Sequence, residues 1–387
     1  MSVVETWLLP DGVADVLPEQ AQVIEQLRRR LLDLLASHGY ELVYTPLIEY
    51  VESLSLLNRT TADLDLATFK LIDQLSGRLL GVRADMTPQV ARIDAHVRPV
   101  EGIARYCYAA TVLHTKPQGL SASRAPLQLG AELYGFEGLA ADLEMLDLML
   151  TVLKQAGFEQ QLHLDLGHVA IFRNLARSAG LTENQEAKLT DLYQRKAIPE
   201  LSEYTATLPS GQDFYVLGRY GHDLTALKQQ LSVQALANDT LQQALAALEQ
   251  AQAHVQQYWP ALNVGVDAAE LRGYNYHTGL TFAAYGANRA VPLAQGGRYD
   301  GIGVAFGRER PATGFSCDLY ALVQGQQLQV RPVMLAPAGQ EQGLQAAIEQ
   351  ARQDGFVVIQ MLDEQDRQAG VTHQLIQQDQ QWQRQVI

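Results

Sequence analysis

The chain has 387 residues, 47% of them hydrophobic, with 43 acidic against 29 basic side chains and a formal charge of -14. That length and apolar content suit one large core plus a smaller module, while the acidic average field repels phosphate backbones and anionic membrane surfaces and argues against nucleic acid as a partner. The only cysteines, Cys107 and Cys317, sit in apolar runs without metal-ligand spacing, so neither disulfides nor a structural metal is expected and a reducing cytoplasm fits.

The opening MSVVETWLLPDG has no basic region ahead of an apolar core, and no later stretch offers about 20 uninterrupted apolar residues, so neither export nor a membrane span is expected. From Pro18 to His38, apolar residues at Ala21, Ile24, Leu27, Leu31, Leu34 and Leu35 have helical spacing, and Gly39 is placed to cap the end. YELVYTPLIEY, residues 40–50, has strand composition interrupted by Pro46, which suggests an edge, a bend or an interface. Strands are then predicted at the start of GRLLGVRADMTPQVARIDAH, RYCYAATVLHT and APLQLGAELYGFEG, followed by a helix over Leu139–Gly157. From about Phe172 to Trp259 the pattern is helical and rich in alanine and glutamine, with Asn238 or Asp239 able to cap its last helix, and reads as an insertion between two sheet-forming halves. Strand signals return at LNVGVDAAEL, YHTGLTFAAY and PATGFSCDLYAL, and RPVMLAP, GQEQGLQAAIEQARQDG and FVVIQML read as strand, helix and strand before a polar, glutamine-rich tail.

General motifs are absent: no GxxxxGK[ST], HExxH, GxSxG or CxxC occurs. GGRYDGIGVAFG, residues 296–307, lacks dinucleotide spacing, and its glycines taken alone read as turn residues. Order carries more than any single motif. RADMTPQVARI, TVLHTKPQG, QLGAELYG, LRGYNYHTG, GGRYDG and TGFSCDLYAL, over about residues 8–325, resemble the ordered motifs of the histidyl-tRNA synthetase family of class II synthetases. The resemblance implies an α+β fold: an antiparallel sheet flanked by helices in a 1–325 domain, with a helical insertion at about 172–260. Residues 329–387 would be a truncated anticodon-binding-like α/β domain.

By the same resemblance, Asp85 and Thr87 of RADMT and Gln128 and Glu132 of QLGAE would hold a histidine ammonium, whose desolvation calls for carboxylate and amide partners. Arg272 would face the carboxylate and Tyr276 the imidazole, and the next position, a tyrosine in the synthetases, is His277 here. The nucleotide side departs from the family. Leu113 and Thr115 stand in VLHTKPQ where the synthetases place an arginine and a glutamate, and Ala321, near Asp318, stands where an arginine clamps the distal phosphate. Each preorganised donor lost costs on the order of 100- to 1,000-fold in rate, so adenylate formation is not expected.

RADMTPQ in place of RPEGT resembles the regulatory-subunit family of ATP phosphoribosyltransferase, paralogues of the synthetases. That likeness implies no catalysis and no cofactor. It also implies L-histidine as an allosteric ligand and a hetero-octamer with the short catalytic subunit at the first step of histidine biosynthesis. A homodimer through residues 18–50 is expected, from the one-sided apolar face of the helix and the edge-like strand at Pro46. The alternatives are a true ligase using Lys116, Arg124 or Arg298, and a synthetase-like domain sensing uncharged tRNA.

Overall fold

The computed structural model describes residues 8–55, 66–117, 123–158, 162–287, 289–323, 331–363, 365, 366 and 368–387. The chain divides into two compact units, 1–326 and 327–387, and the division falls within 324–330, outside the described residues.

In the larger unit, the helix Pro18–Ser37 begins with proline in its first turn, ends at His38 and is followed by Gly39 at φ 84°, a left-handed position that suits glycine. Its stripe of Ile24, Leu27, Leu31 and Leu35 is buried, each side chain contributing about 1.5–3 kcal/mol. This face packs inside its own unit, so it is not what the helix would offer a second copy. The exposed apolar side chains lie in the next segment: Leu42, Tyr44, Leu47 and Ile48 are 43%, 73%, 49% and 44% exposed.

That segment is two short strands, β1 (Glu41–Leu42) and β2 (Ile48–Tyr50), with Pro46 between them. Proline has a fixed φ and no N–H, and the chain changes sheets at this point. β2 joins β3 (Lys70–Ile72) and β4 (Leu79–Val82) in a small sheet of order β2-β4-β3. β1 runs parallel to β5 (Ala104–Thr111) at the edge of the principal sheet.

The principal sheet continues through β6 (Leu127–Tyr134), β7 (His163–His168), β8 (Asn263–Val266), β9 (Leu280–Tyr285), β10 (Ala294–Arg298) and β11 (Ala312–Asp318). Its order is β1-β5-β6-β11-β10-β9-β7-β8. The pairs from β5 to β7 are all antiparallel and β8 lies parallel to β7. Parallel neighbours need a crossover, and the helical insertion is that crossover. It begins at Val169, a few residues earlier than the sequence pattern suggested, and closes with the helix Asp239–Tyr258, capped by Asn238 Oδ1 on the Leu241 N–H at 3.0 Å.

Two glycines read as turn residues, Gly296 and Gly297, lie inside β10. The reason is close approach: a Cβ at Gly296 would lie 2.2 Å from the Gly314 carbonyl oxygen.

Alternation sorts the sheet into two faces. Leu129, Ala131 and Leu133 of β6, Leu164 and Leu166 of β7 and Phe315 and Cys317 of β11 point into the main core, which the helices Pro18–Ser37, Leu139–Gln155 and Asp239–Tyr258 complete. The intervening residues of the same strands form the opposite face.

The smaller unit is a four-stranded sheet, β13-β12-β14-β15, made of β12 (Val333–Ala336), β13 (Val357–Gln360), β14 (His373–Gln378) and β15 (Gln381–Val386). The helix Leu344–Gln353 buries Leu344, Ile348 and Ala351 against Met334, Ala336, Val358 and Leu375. The polar tail is therefore structured, as a hairpin. Asp379 and Gln380 turn it with φ of 50° and 61°, the two positive values a tight right-twisted hairpin requires.

Candidate functional site

The face opposite the helical core carries aromatic residues, among them Tyr106, Tyr108 and Tyr134, beside several small ones. A cavity of about 410 Å³ opens there, bordered by Asp85, Thr87 and Glu132 at one end and Asp165, Glu270 and Arg272 at the other. Between them lie Gly167, Ala283, Gly314 and Ser316.

Glu132 forms the floor at 1% exposure. Its carboxylate accepts from Thr87 Oγ1 at 2.8 Å, from Tyr108 Oη at 2.9 Å and from Tyr299 Oη. Burial nevertheless dominates and, with the Asp85 charge adding to it, pushes Glu132 up to about 8. Asp85 Oδ1 accepts from Gln128 Nε2 at 2.9 Å and from the Thr87 N–H at 3.2 Å, while Gln128 Oε1 takes the Met86 N–H at 3.0 Å. A raised pKa of this kind favours the protonated carboxyl and so eases the repulsion between Glu132 and Asp85.

The opposite end is the turn after Leu271. Arg272 Nη2 donates to Glu270 Oε2 at 2.7 Å and Nη1 donates to Tyr285 Oη. A guanidinium has five N–H donors, more than these two bonds use, so donors remain for an anion at the mouth. Tyr276 stacks on Tyr299 with ring centres 5.1 Å apart and planes 22° apart. Its buried hydroxyl makes no well-formed hydrogen bond among the described residues, although Thr87 is close enough to affect it. His277 lies edge-on to Tyr276 at 5.2 Å, and its Nδ1 is 3.3 Å from the Arg298 carbonyl oxygen. Burial lowers its pKa to about 4, so the ring is neutral at physiological pH.

The expected residues therefore gather at one cavity: Asp85, Thr87, Glu132, Arg272, Tyr276 and His277 border it, and Gln128 braces Asp85 from behind. Sequence reasoning missed Tyr108 and Tyr299, which hold Glu132, and Glu270 and Tyr285, which hold Arg272. Tyr299 belongs to the GGRYDG motif and could have been flagged there; the others sit in ordinary strand and loop sequence.

Leu113, Thr115 and Ala321, the positions where the resemblance expects phosphate-binding groups, carry no charge of their own, although Arg289 Nη2 lies 3.5 Å from the Ala321 carbonyl oxygen. Leu113 follows β5 with its N–H on the Arg83 carbonyl, and Thr115 Oγ1 donates to the Leu66 carbonyl at 2.6 Å. Ala321 lies in the short helix Leu319–Leu322, and Asp318 caps it through the Tyr320 N–H.

Two of the alternative cations are engaged in the fold. Arg298, 6% exposed, grips Asp142 at 3.0 and 3.1 Å, Asp300 at 3.2 Å and the carbonyls of Phe136 and Gly138. Arg124 donates to the carbonyls of His114 and Asp11. Lys116 is exposed. Among the described residues no His, Cys, Asp and Glu grouping could hold a metal ion, and no helix is long and apolar enough to cross a membrane.

Residues 12–322 match the histidyl-tRNA synthetase family and residues 331–385 match the ATP phosphoribosyltransferase subunit HisZ C-terminal domain. A protein of Acinetobacter baylyi described as ATP phosphoribosyltransferase regulatory subunit is 62% identical over 385 residues, 99% of either chain. One of the same description from Psychrobacter cryohalolentis is 46% identical over 388 residues, covering 97% of this chain and 99% of its own. Among solved structures, an ATP phosphoribosyltransferase regulatory subunit/histidyl-tRNA synthetase from Bacillus halodurans superposes with a TM-score of 0.78 at 25% identity, covering 93% of this chain and 94% of its own. The histidyl-tRNA synthetase of Nostoc sp. PCC 7120 shares the fold, with a TM-score of 0.74 at 18% identity over 96% of this chain and 91% of its own.

Proposed function

Since the chain belongs to the ATP phosphoribosyltransferase regulatory subunit family, we propose that it is the non-catalytic regulatory partner of a short-form ATP phosphoribosyltransferase in the cytoplasm. It activates that enzyme within a hetero-octamer and carries its feedback inhibition by L-histidine. The observation that supports this reading is the asymmetry of the site. The cavity keeps paired carboxyls and a buried hydroxyl at one end and a guanidinium at the other, a set suited to a zwitterionic amino acid, whereas Leu113 and Ala321 carry no charge of their own for a nucleotide phosphate.

In this reading the ligand ammonium approaches Asp85 and Thr87, its carboxylate approaches Arg272, and Glu132, Tyr276 and His277 line the space left for the ring. Gln128 keeps Asp85 in place. The homodimer forms through the exposed apolar segment at Leu42–Ile48 together with the rest of residues 18–50.

Copurification with the short catalytic subunit, followed by a mass measurement, tests the assembly. In that complex Arg272→Ala should weaken histidine inhibition by roughly 5- to 150-fold, the range of a single coupling energy, while basal activation persists. An unchanged inhibition constant in an intact complex would move the regulatory site elsewhere.

A further inference from the structure

The turn that presents Arg272, Tyr276 and His277 to the cavity is fastened from behind by the helical insertion. Gly273, at φ 67°, lets the chain fold back so that the N–H groups of Tyr276 and His277 both reach its carbonyl at 2.8 Å. Within this turn Arg272, Gly273, Tyr276 and His277 border the cavity, whereas Tyr274 turns toward the insertion.

There its hydroxyl donates to Glu186 Oε2 at 2.7 Å, from the helix Glu183–Gln194. Its ring lies 4.8 Å from the Arg173 guanidinium and 5.3 Å, edge-on, from Phe172, both on the helix Val169–Ala179. Arg173 Nη2 also donates to the carbonyls of Tyr274 and His277, at 2.8 and 3.0 Å. Phe172 is fully buried and packs on Tyr193 and Phe214, so the grip reaches the insertion's own core. A second tie holds the approach to the turn, where the Ala268 N–H bonds the Gly221 carbonyl and Lys196 pairs with Asp267 at 3.3 Å.

We propose that Arg173, Glu186 and Tyr274 are positioning residues that latch the ligand-facing turn to the helical insertion, so that L-histidine occupancy and the order of the insertion are one coupled equilibrium. The proposal rests on the reading of the cavity as a histidine pocket. Coupling of this kind is reciprocal: a ligand that holds Arg272 and Tyr276 in place also holds Tyr274 against Glu186 and Arg173. The insertion therefore reports the state of the pocket to whatever touches its outer surface.

The test uses the full chain and L-histidine. Calorimetric affinity is measured for the wild type, Tyr274→Phe, Glu186→Ala and Glu186→Gln, and amide exchange is followed over residues 169–194 with and without histidine. Tyr274→Phe and Glu186→Ala should each weaken binding about five- to tenfold, the effect of one lost hydrogen bond. Glu186→Gln, which keeps an acceptor, should stay within about twofold of the wild type. Histidine should slow exchange over 169–194 in the wild type, and that protection should fall away in Tyr274→Phe even though the variant's thermal midpoint is little changed. If the wild type binds histidine and Tyr274→Phe binds it equally well with the same protection, or if Glu186→Gln is as weak as Glu186→Ala, the latch is refuted and the pocket reading stands. If the wild type does not bind histidine, the pocket reading itself fails.

Discussion

Replacing Glu132 by glutamine should stabilise the ligand-free protein at alkaline pH, with a gain that shrinks as the pH falls. In the fold the Glu132 carboxyl titrates at about 8 because it is buried, whereas in the unfolded chain it titrates near 4.3. A raised folded pKa means that the native state keeps a proton the unfolded chain gives up. The associated stability is fully present below about 4.3 and is lost as pH rises through about 8. Between pH 6 and pH 8 this loss amounts to roughly 2 kcal/mol, at about 1.4 kcal/mol per unit with flattening near the folded pKa. Glutamine is close in shape and can still accept from Thr87, Tyr108 or Tyr299, but it does not titrate. His168 and His277, both lowered to about 4 by burial, act in the opposite sense and are common to both proteins, so the difference isolates Glu132. Urea unfolding of the two proteins at fixed concentration, from pH 6 to pH 8, should show the stability gap widening by about that amount. A gap independent of pH would show that Glu132 is ionised in the empty cavity and that its three hydroxyl partners outweigh burial.

Further outcomes follow from other parts of the molecule. Arg298→Met strands the buried Asp142 carboxylate and should cost about 3–5 kcal/mol in urea unfolding, with part of the loss restored by adding Asp142→Leu. Leu113→Arg alone should give no histidine-dependent pyrophosphate exchange, since Ala321 still stands where the resemblance places the second arginine; measurable exchange would overturn the non-catalytic reading. Tyr44→Asp with Ile48→Asp should turn a homodimer into a monomer by light scattering at micromolar concentration, and a wild type already monomeric there would rule out the proposed interface.

Strongly periodic segments were legible in the sequence. The stripe of the helix Pro18–Ser37 and the alternation in LQLGAELY each have one dominant reading, and the structure follows both. The failures came where tertiary crowding or unusual turn chemistry decided the outcome. Gly296 and Gly297 read as turn residues because glycine usually marks turns, yet close approach within the sheet is what requires them, by β11 at Gly296 and by β9 at Gly297. The final hairpin was hidden because Asp379-Gln380 is an unusual pair at positive φ, where Asn-Gly is the common signal. The cavity's polar ends were found through ordered motifs, but their supports were not. Tyr108 and Tyr299 look like core aromatics until the register of β5 against β6 brings Tyr108 to the Glu132 face.

The small residues on the open face have a consequence for how such a site is lost. A Cβ at Gly314 would lie 1.7 Å from Glu132 Oε2, and one at Gly130 would lie 2.5 Å from Tyr108 Oη. The seating of Glu132 and Tyr108 thus depends on missing methyl groups on neighbouring strands, which no inventory of charged or polar positions records. A descendant could retain Asp85, Glu132 and Arg272 unchanged and still go blind to its ligand through a single alanine on the sheet. Comparisons that score only the polar constellation would count that protein as competent.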